Sequence, residues 1–314
     1  MPNVKPHRSN LYLCTPVKVD PEKSYYIVGF EPNASMQYVH HMIIYGCKEP
    51  GKSEPAWNCG EMALDDSDED TANPCSSGNT ILYAWARDAP KLDLPNGVAF
   101  KIGVDTNIKY LVLQVHYSHV EKFTNDTTDS SGVDLIYTDI PSPKLAGVFL
   151  LGTGGRIRAH STESMETACA INEDKEIHPF RFRTHTHELG VRVSGYRIRK
   201  INGYEHWTLI GEHDPLEPQM FYPVAKNMII QKGDVLAASC KMDATHRNRD
   251  TRVGPTGENE MCNFYMMYWV ENTEPLEQQY CFSSGPPFYY WRENFENIPE
   301  RELITYRRND IKEE

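Results

Sequence analysis

Short runs rich in β-branched and aromatic residues recur along the chain, at Tyr25–Val28, Met42–Tyr45, Tyr110–Tyr117 and Phe264–Trp269. Each is bounded by Gly, Pro, Asn or Asp. Long apolar stripes at the helical period are hard to find, so the pattern predicts antiparallel β-structure throughout. Half-buried strands in this number bury their apolar faces best as sheet on sheet, which gives an all-β chain of two β-sandwiches. The segment Asp139–Lys144 carries two prolines near the middle and reads as a short, stiff linker. The expected division is residues 1–142 for an N-terminal sandwich, 143–292 for a C-terminal sandwich, and 293–314 for a charge-rich surface tail.

At 314 residues the chain is long enough for two such cores, and its 39% hydrophobic and 24% charged residues describe a folded globular protein. The formal net charge of −12 argues against nucleic acid or an anionic membrane surface as partner, because both call for clustered positive charge. The dense acidic run Asp65–Asp70 reads as a solvated loop. No apolar run reaches the roughly 18 residues of a transmembrane segment. The first residues, Met1–Pro6, lack the apolar core of a signal peptide. Eight cysteines and the sequons at Asn33 and Asn125 nonetheless fit an oxidising compartment, so the chain reads as a trimmed secreted domain. The cysteines fall singly, without a C-x-x-C pair, and spacing rules alone leave about a hundred pairings open.

His185-Thr186-His187 is the chemically informative motif. Side chains two apart on a strand point the same way, so this pair can close on one metal. Imidazole alone leaves zinc, copper, iron and nickel open, whereas a nearby thioether such as Met261 selects a soft ion and turns the choice towards copper. Most strand histidines and core methionines are structural, and spacing alone does not settle the matter. The doublet His40-His41 faces opposite sides of a regular strand and can share a metal, with His116, only where a bulge or strand end turns one of the pair.

The strings His40–Cys47, Ile81–Arg87, Leu113–Tyr117, Thr184–His187, Phe221–Pro223 and Glu260–Asn263 together resemble the catalytic core of the peptidylglycine α-hydroxylating monooxygenases, a group of copper type II ascorbate-dependent monooxygenases. The resemblance runs in order from about Leu11 to Cys281. It implies two jelly-roll-like sandwiches facing each other across a cleft, with two coppers per chain. His40, His41 and His116 would hold an electron-transfer copper, and His185, His187 and Met261 the copper that meets O2 and substrate. Arg183 falls at the position that pairs with a substrate carboxylate, Asn263 and Tyr265 at further substrate contacts, and Gln114 and His178 at supporting or electron-transfer positions that read equally well as structural polar groups. Arg181 has no such role and reads as a surface residue. The resemblance pairs Cys14 with Cys59, Cys47 with Cys75, Cys169 with Cys281, and Cys240 with Cys262.

The activity implied by the resemblance is ascorbate- and O2-dependent hydroxylation of the α-carbon of a glycine-extended peptide, the first step of peptide amidation, in a secretory vesicle lumen or outside the cell. A separate peptidyl-hydroxyglycine lyase would complete the amidation. Two other readings compete. A copper monooxygenase of phenylethylamines would share the ligands and have no use for Arg183 as a carboxylate clamp, and a copper-binding β-sandwich without turnover would need only one site.

Overall fold

The computed structural model describes residues 1–60, 71–86, 88–123, 127–254 and 258–304. The acidic run Asp65–Asp70 and the sequon residue Asn125 lie outside them, whereas Asn33 is exposed at the end of a strand. Contacts divide the chain into two compact units, Met1–Ala146 and Gly147 onward. That division falls just beyond the proline-bearing segment, inside a strand that starts at Lys144.

The first unit is built from β1 (Leu11–Lys18), β2 (Ser24–Asn33), β3 (Val39–Cys47), β4 (Thr80–Ala86), β5 (Val98–Gly103), β6 (Tyr110–Tyr117) and β7 (Gly132–Thr138). One sheet runs β1-β6-β3-β4, and β2 pairs with β5 and β7 in another. β3 and β6 are central and buried along most of their length, which is why their apolar runs are nearly continuous. Phe30 of β2 stacks on Tyr83 of β4 at 4.5 Å between ring centroids, so the inner faces of the two sheets meet in one core.

The second unit is built from β8 (Lys144–Thr153), β9 (Thr162–Ala170), β10 (His178–His185), β11 (Gly190–Ile201), β12 (Tyr204–His213), β13 (Val235–Asp243), β14 (Asn263–Glu271) and β15 (Tyr280–Ser283). β9-β13-β11-β12 form one antiparallel sheet, and β8-β14-β10 lie side by side in another. Phe182 and Phe264, stacked at 5.6 Å, project from that second sheet against glycines of the first. A Cβ at Gly211 would meet Phe182 at 2.2 Å and one at Gly195 would meet Phe264 at 2.3 Å, so the sheets pack this closely only because both positions are glycine. All four expected disulfides are formed, with Cα separations of 5.4–5.9 Å, and no cysteine is free. No helix among the described residues is long and apolar enough to cross a membrane.

The described part of the tail from residue 293 is mostly exposed, with Glu302 as a buried exception. Helix α1 (Glu300–Leu303) drives Glu302 into the second unit until its side chain is 0% exposed. Its Oε1 accepts from Arg192, Ser194 and Tyr196, each at 2.8 Å, and Lys241 Nζ lies 3.4 Å from Oε2. Charge density along the sequence suggested solvent; partners of opposite sign on β11 and β13 make burial possible instead.

Candidate metal centres and substrate clamp

The first cluster is assembled by strand register. His116 of β6 stands opposite His41 of β3, while the next residue, Tyr117, stands opposite Val39. His40 is therefore the extra residue of a β-bulge, the irregularity the doublet needs if both imidazoles are to face one point. The ligand nitrogens of His40, His41 and His116 lie within 4.8 Å of one another. His40 Nδ1 and His41 Nδ1 approach to 3.2 Å, a separation at which one shared proton or one shared cation satisfies both lone pairs. Tyr12, across from His116 on β1, stacks on its ring at 4.0 Å and holds it in plane. Asn10 Oδ1, 3.3 Å from His116 Nε2, is an acceptor, so that nitrogen carries the proton and Nδ1 the lone pair. Three converging imidazoles, one exposed, one half-buried and one buried, suit copper or zinc in chemistry and in access.

Gln114, two residues before His116, is fully buried; its Nε2 donates to Gly60 O at 3.1 Å and its Oε1 accepts from Tyr45 at 3.4 Å. Those contacts are those of a satisfied core amide.

The second cluster lies where β10 and β14 end together. Arg183 pairs with Tyr265 and His185 with Asn263, so a basic side chain and an imidazole share one face of β10 opposite two polar residues of β14. His187 lies just past β10 and Met261 just before β14. The rings of His185 and His187 are 5.5 Å apart, and Asn263 Nδ2 reaches Met261 Sδ at 3.8 Å. Second partners fix the histidine tautomers. His185 Nδ1 faces Gln219 Oε1 at 2.7 Å and His187 Nδ1 faces Asn259 O at 3.0 Å. Both partners are acceptors, so each Nδ1 is protonated and each Nε2 keeps its lone pair for a metal. Two imidazole nitrogens with a thioether nearby form a donor set that fits copper, in particular Cu(I).

Arg183 is 3% exposed and sits over the Tyr265 ring with Cζ 5.2 Å from its centroid. Gln219 ties it to the imidazole: its main-chain oxygen accepts from Arg183 Nε at 2.8 Å, and the Oε1 that faces His185 also accepts from Arg183 Nη2 at 3.2 Å. Gln219 Nε2 donates to Pro215 O at 2.8 Å and Thr186 O at 3.3 Å, which fixes the orientation of the amide. Burial pushes the Tyr265 hydroxyl above the usual phenol range, with Arg183 and Asn263 pulling the other way. Glu260, 1% exposed, directs its carboxylate at main-chain amides on both sides of this site. Burial raises its carboxyl above the ordinary range, and the amides of Leu189, His187 and Met261 oppose that shift.

Sequence reasoning missed Gln219 and Glu260. Gln219 sits in an irregular proline-bearing loop with no periodicity, and the one signal for Glu260 was an acidic residue beside Met261. His178 lies apart from the second cluster. It begins β10, seven residues from His185 and so roughly 20 Å away along the strand, where it stacks on Trp269 at 3.8 Å and its Nε2 lies 3.1 Å from Glu176. Arg181 is half-buried on the same strand.

Two all-β units, one carrying three converging imidazoles and the other an imidazole pair with a thioether nearby, have the donor sets of a protein that holds transition-metal ions, copper fitting both. The chain belongs to the copper type II ascorbate-dependent monooxygenases: the N-terminal domain of that family matches residues 1–124 and the C-terminal domain residues 144–294. Among its relatives, peptidyl-glycine alpha-amidating monooxygenase A of Xenopus laevis is 36% identical over 302 residues, 96% of this chain and 30% of the relative. The peptidyl-glycine alpha-amidating monooxygenase of Mus musculus is 38% identical over 305 residues, 97% of this chain and 29% of the relative. DBH-like monooxygenase protein 1 of Homo sapiens is more distant, 24% identical over 284 residues, 84% of this chain and 45% of the relative. The chain thus spans under a third of the length of the amidating monooxygenases it matches.

Proposed function

We propose that this chain hydroxylates the α-carbon of the C-terminal glycine of peptides, with O2 as co-substrate and ascorbate as reductant. One oxygen atom enters the C–H bond and the other leaves as water, the two electrons and two protons coming from ascorbate. The observation that carries the reading is Arg183, a buried guanidinium two residues from His185 on the same strand face. Such a group matches a peptide's terminal carboxylate with paired hydrogen bonds and has no counterpart need in a phenylethylamine substrate.

Bound copper supplies the one-electron chemistry. His40, His41 and His116 would hold the ion that passes electrons, and His185, His187 and Met261 the ion beside the substrate, one site in each unit. The Met261 thioether favours the reduced ion at the second site. Arg183 anchors the carboxylate with Asn263 and Tyr265 beside it, so the glycine α-carbon is held near His185 and His187 without a side chain acting as general base. The hydroxyglycine product is a carbinolamide, and a peptidyl-hydroxyglycine lyase would convert it to amide and glyoxylate. Four disulfides fit an oxidising compartment, and the reading assigns the chain to a secretory vesicle lumen or the extracellular space.

The test is Arg183→Gln against a glycine-extended peptide. kcat/KM should fall by roughly 2–5 kcal/mol, the cost of breaking a desolvated charge pair, with copper content unchanged. An enzyme that instead turns over tyramine and ignores the peptide carboxylate is an amine hydroxylase.

A further inference from the structure

We propose that Glu260 is a positioning residue that sets the spacing between His187 and Met261, an inference that rests on the copper reading of those two side chains. The ladder between β10 and β14 stops at the His185–Asn263 pair. Both His187 and Met261 lie beyond it, so the strand hydrogen bonds that hold Arg183, His185, Asn263 and Tyr265 in register do not reach these two residues.

The Glu260 carboxylate takes over that task. Oε1 accepts from the main-chain N–H of His187 and, at 2.8 Å, from that of Met261. Oε2 accepts from Leu189 N at 2.7 Å. One rigid, buried group thus bridges the segment after β10 and the segment before β14. The Glu260 backbone is itself fixed, its N–H donating to Arg252 O at 2.9 Å and its carbonyl accepting from Gly254 N at 3.0 Å. The preceding carbonyl, Asn259 O, takes the His187 Nδ1 proton, so the same short segment sets the direction of the imidazole as well as the position of its backbone. A soft and a borderline ligand arriving from separate segments must be brought to a bonding distance before the metal binds, and residues that orient ligands are worth roughly 10–100-fold in affinity.

The test is Glu260→Gln, with Glu260→Asp as the second variant. Glutamine keeps the shape and turns one acceptor into an NH2 that opposes an amide N–H; aspartate keeps the charge and shortens the reach, so it cannot span both segments. Copper titration followed by X-ray absorption on each loaded protein reads the two sites separately, and metal-free thermal unfolding reports the general stability. Each variant should bind copper roughly 10–100-fold more weakly at the His185, His187 and Met261 site, with sulfur scattering reduced, while affinity at His40, His41 and His116 is retained. Wild-type affinity and full sulfur scattering in either variant, or an equal loss at both sites, would overturn the positioning role. Unaltered protein that takes no copper at the second site would instead overturn the copper reading on which the inference rests.

Discussion

Replacing Gln219 by alanine releases both groups that its Oε1 holds. The side chain is 6% exposed, and its Oε1 lies 2.7 Å from His185 Nδ1 and 3.2 Å from Arg183 Nη2. Alanine removes both bonds and keeps the main-chain carbonyl that accepts from Arg183 Nε at 2.8 Å, so the guanidinium loses part of its support and the imidazole loses its orienting partner. A bond to a charged group is worth about 1.5–3 kcal/mol, which at about 1.4 kcal/mol per decade is roughly a 10–150-fold rise in KM for a glycine-extended peptide. Loss of the acceptor that fixes the His185 tautomer adds roughly a 10–100-fold loss of copper affinity at that site. Gln219→Glu weights the two effects differently: a carboxylate still accepts from His185 but loses the donations to Pro215 O and Thr186 O, and it also neutralises Arg183 and competes with the substrate carboxylate, so KM should rise more than copper affinity falls. Steady-state kinetics and copper titration of both variants, closed into a double-mutant cycle with Arg183→Gln, give the coupling; residues in one network should couple by about 0.5–3 kcal/mol. Gln219→Ala with copper affinity and KM within twofold of the parent would refute the bridge.

Met261→Ile should lower copper at the second site and abolish sulfur scattering, leaving the copper at His40, His41 and His116, as elemental analysis and X-ray absorption would read; unchanged activity would remove Met261 from the site. Glu302→Ala should cost roughly 3–5 kcal/mol in urea unfolding because it leaves Lys241 buried without its carboxylate. Burial raises the Glu302 carboxyl, but Lys241, Arg192, Ser194 and Tyr196 together hold it below the usual range, so its stabilisation is present above the unfolded value of about 4.3 and is lost as pH falls through the lower folded value. The parent should therefore lose this contribution in acid while Glu302→Gln shows a flatter acid limb. Burial lowers the Lys241 ammonium, with Glu302 and Glu166 pulling the other way.

Strands were legible because their apolar runs are bounded by turn residues and alternate where one face meets water, and the i, i+2 spacing of His185 and His187 brought that pair into view, although the strand ends at His185; Arg183 was legible through resemblance. The bulge at His40 was legible only as a requirement, since nothing in Val39-His40-His41-Met42 announces which residue is extra. Gln219, Glu260 and Glu302 share a cause of invisibility. Each is a polar residue with at least one partner more than thirty residues away in the chain, and burial of that kind depends on pairing that composition and periodicity do not encode. His178, given by the resemblance as a supporting or a structural residue, lies seven residues along an extended strand from His185, roughly 20 Å. The disulfides were legible through resemblance and not through spacing.

The most direct measurement supplies the copper-loaded protein with ascorbate, a glycine-extended peptide and isotopically labelled O2, and tracks the peptide by mass spectrometry. The account predicts one labelled oxygen on the α-carbon of the terminal glycine and none on the same peptide ending in an amide. Labelled oxygen on tyramine with the peptide untouched, or no incorporation by protein carrying both coppers, would contradict it.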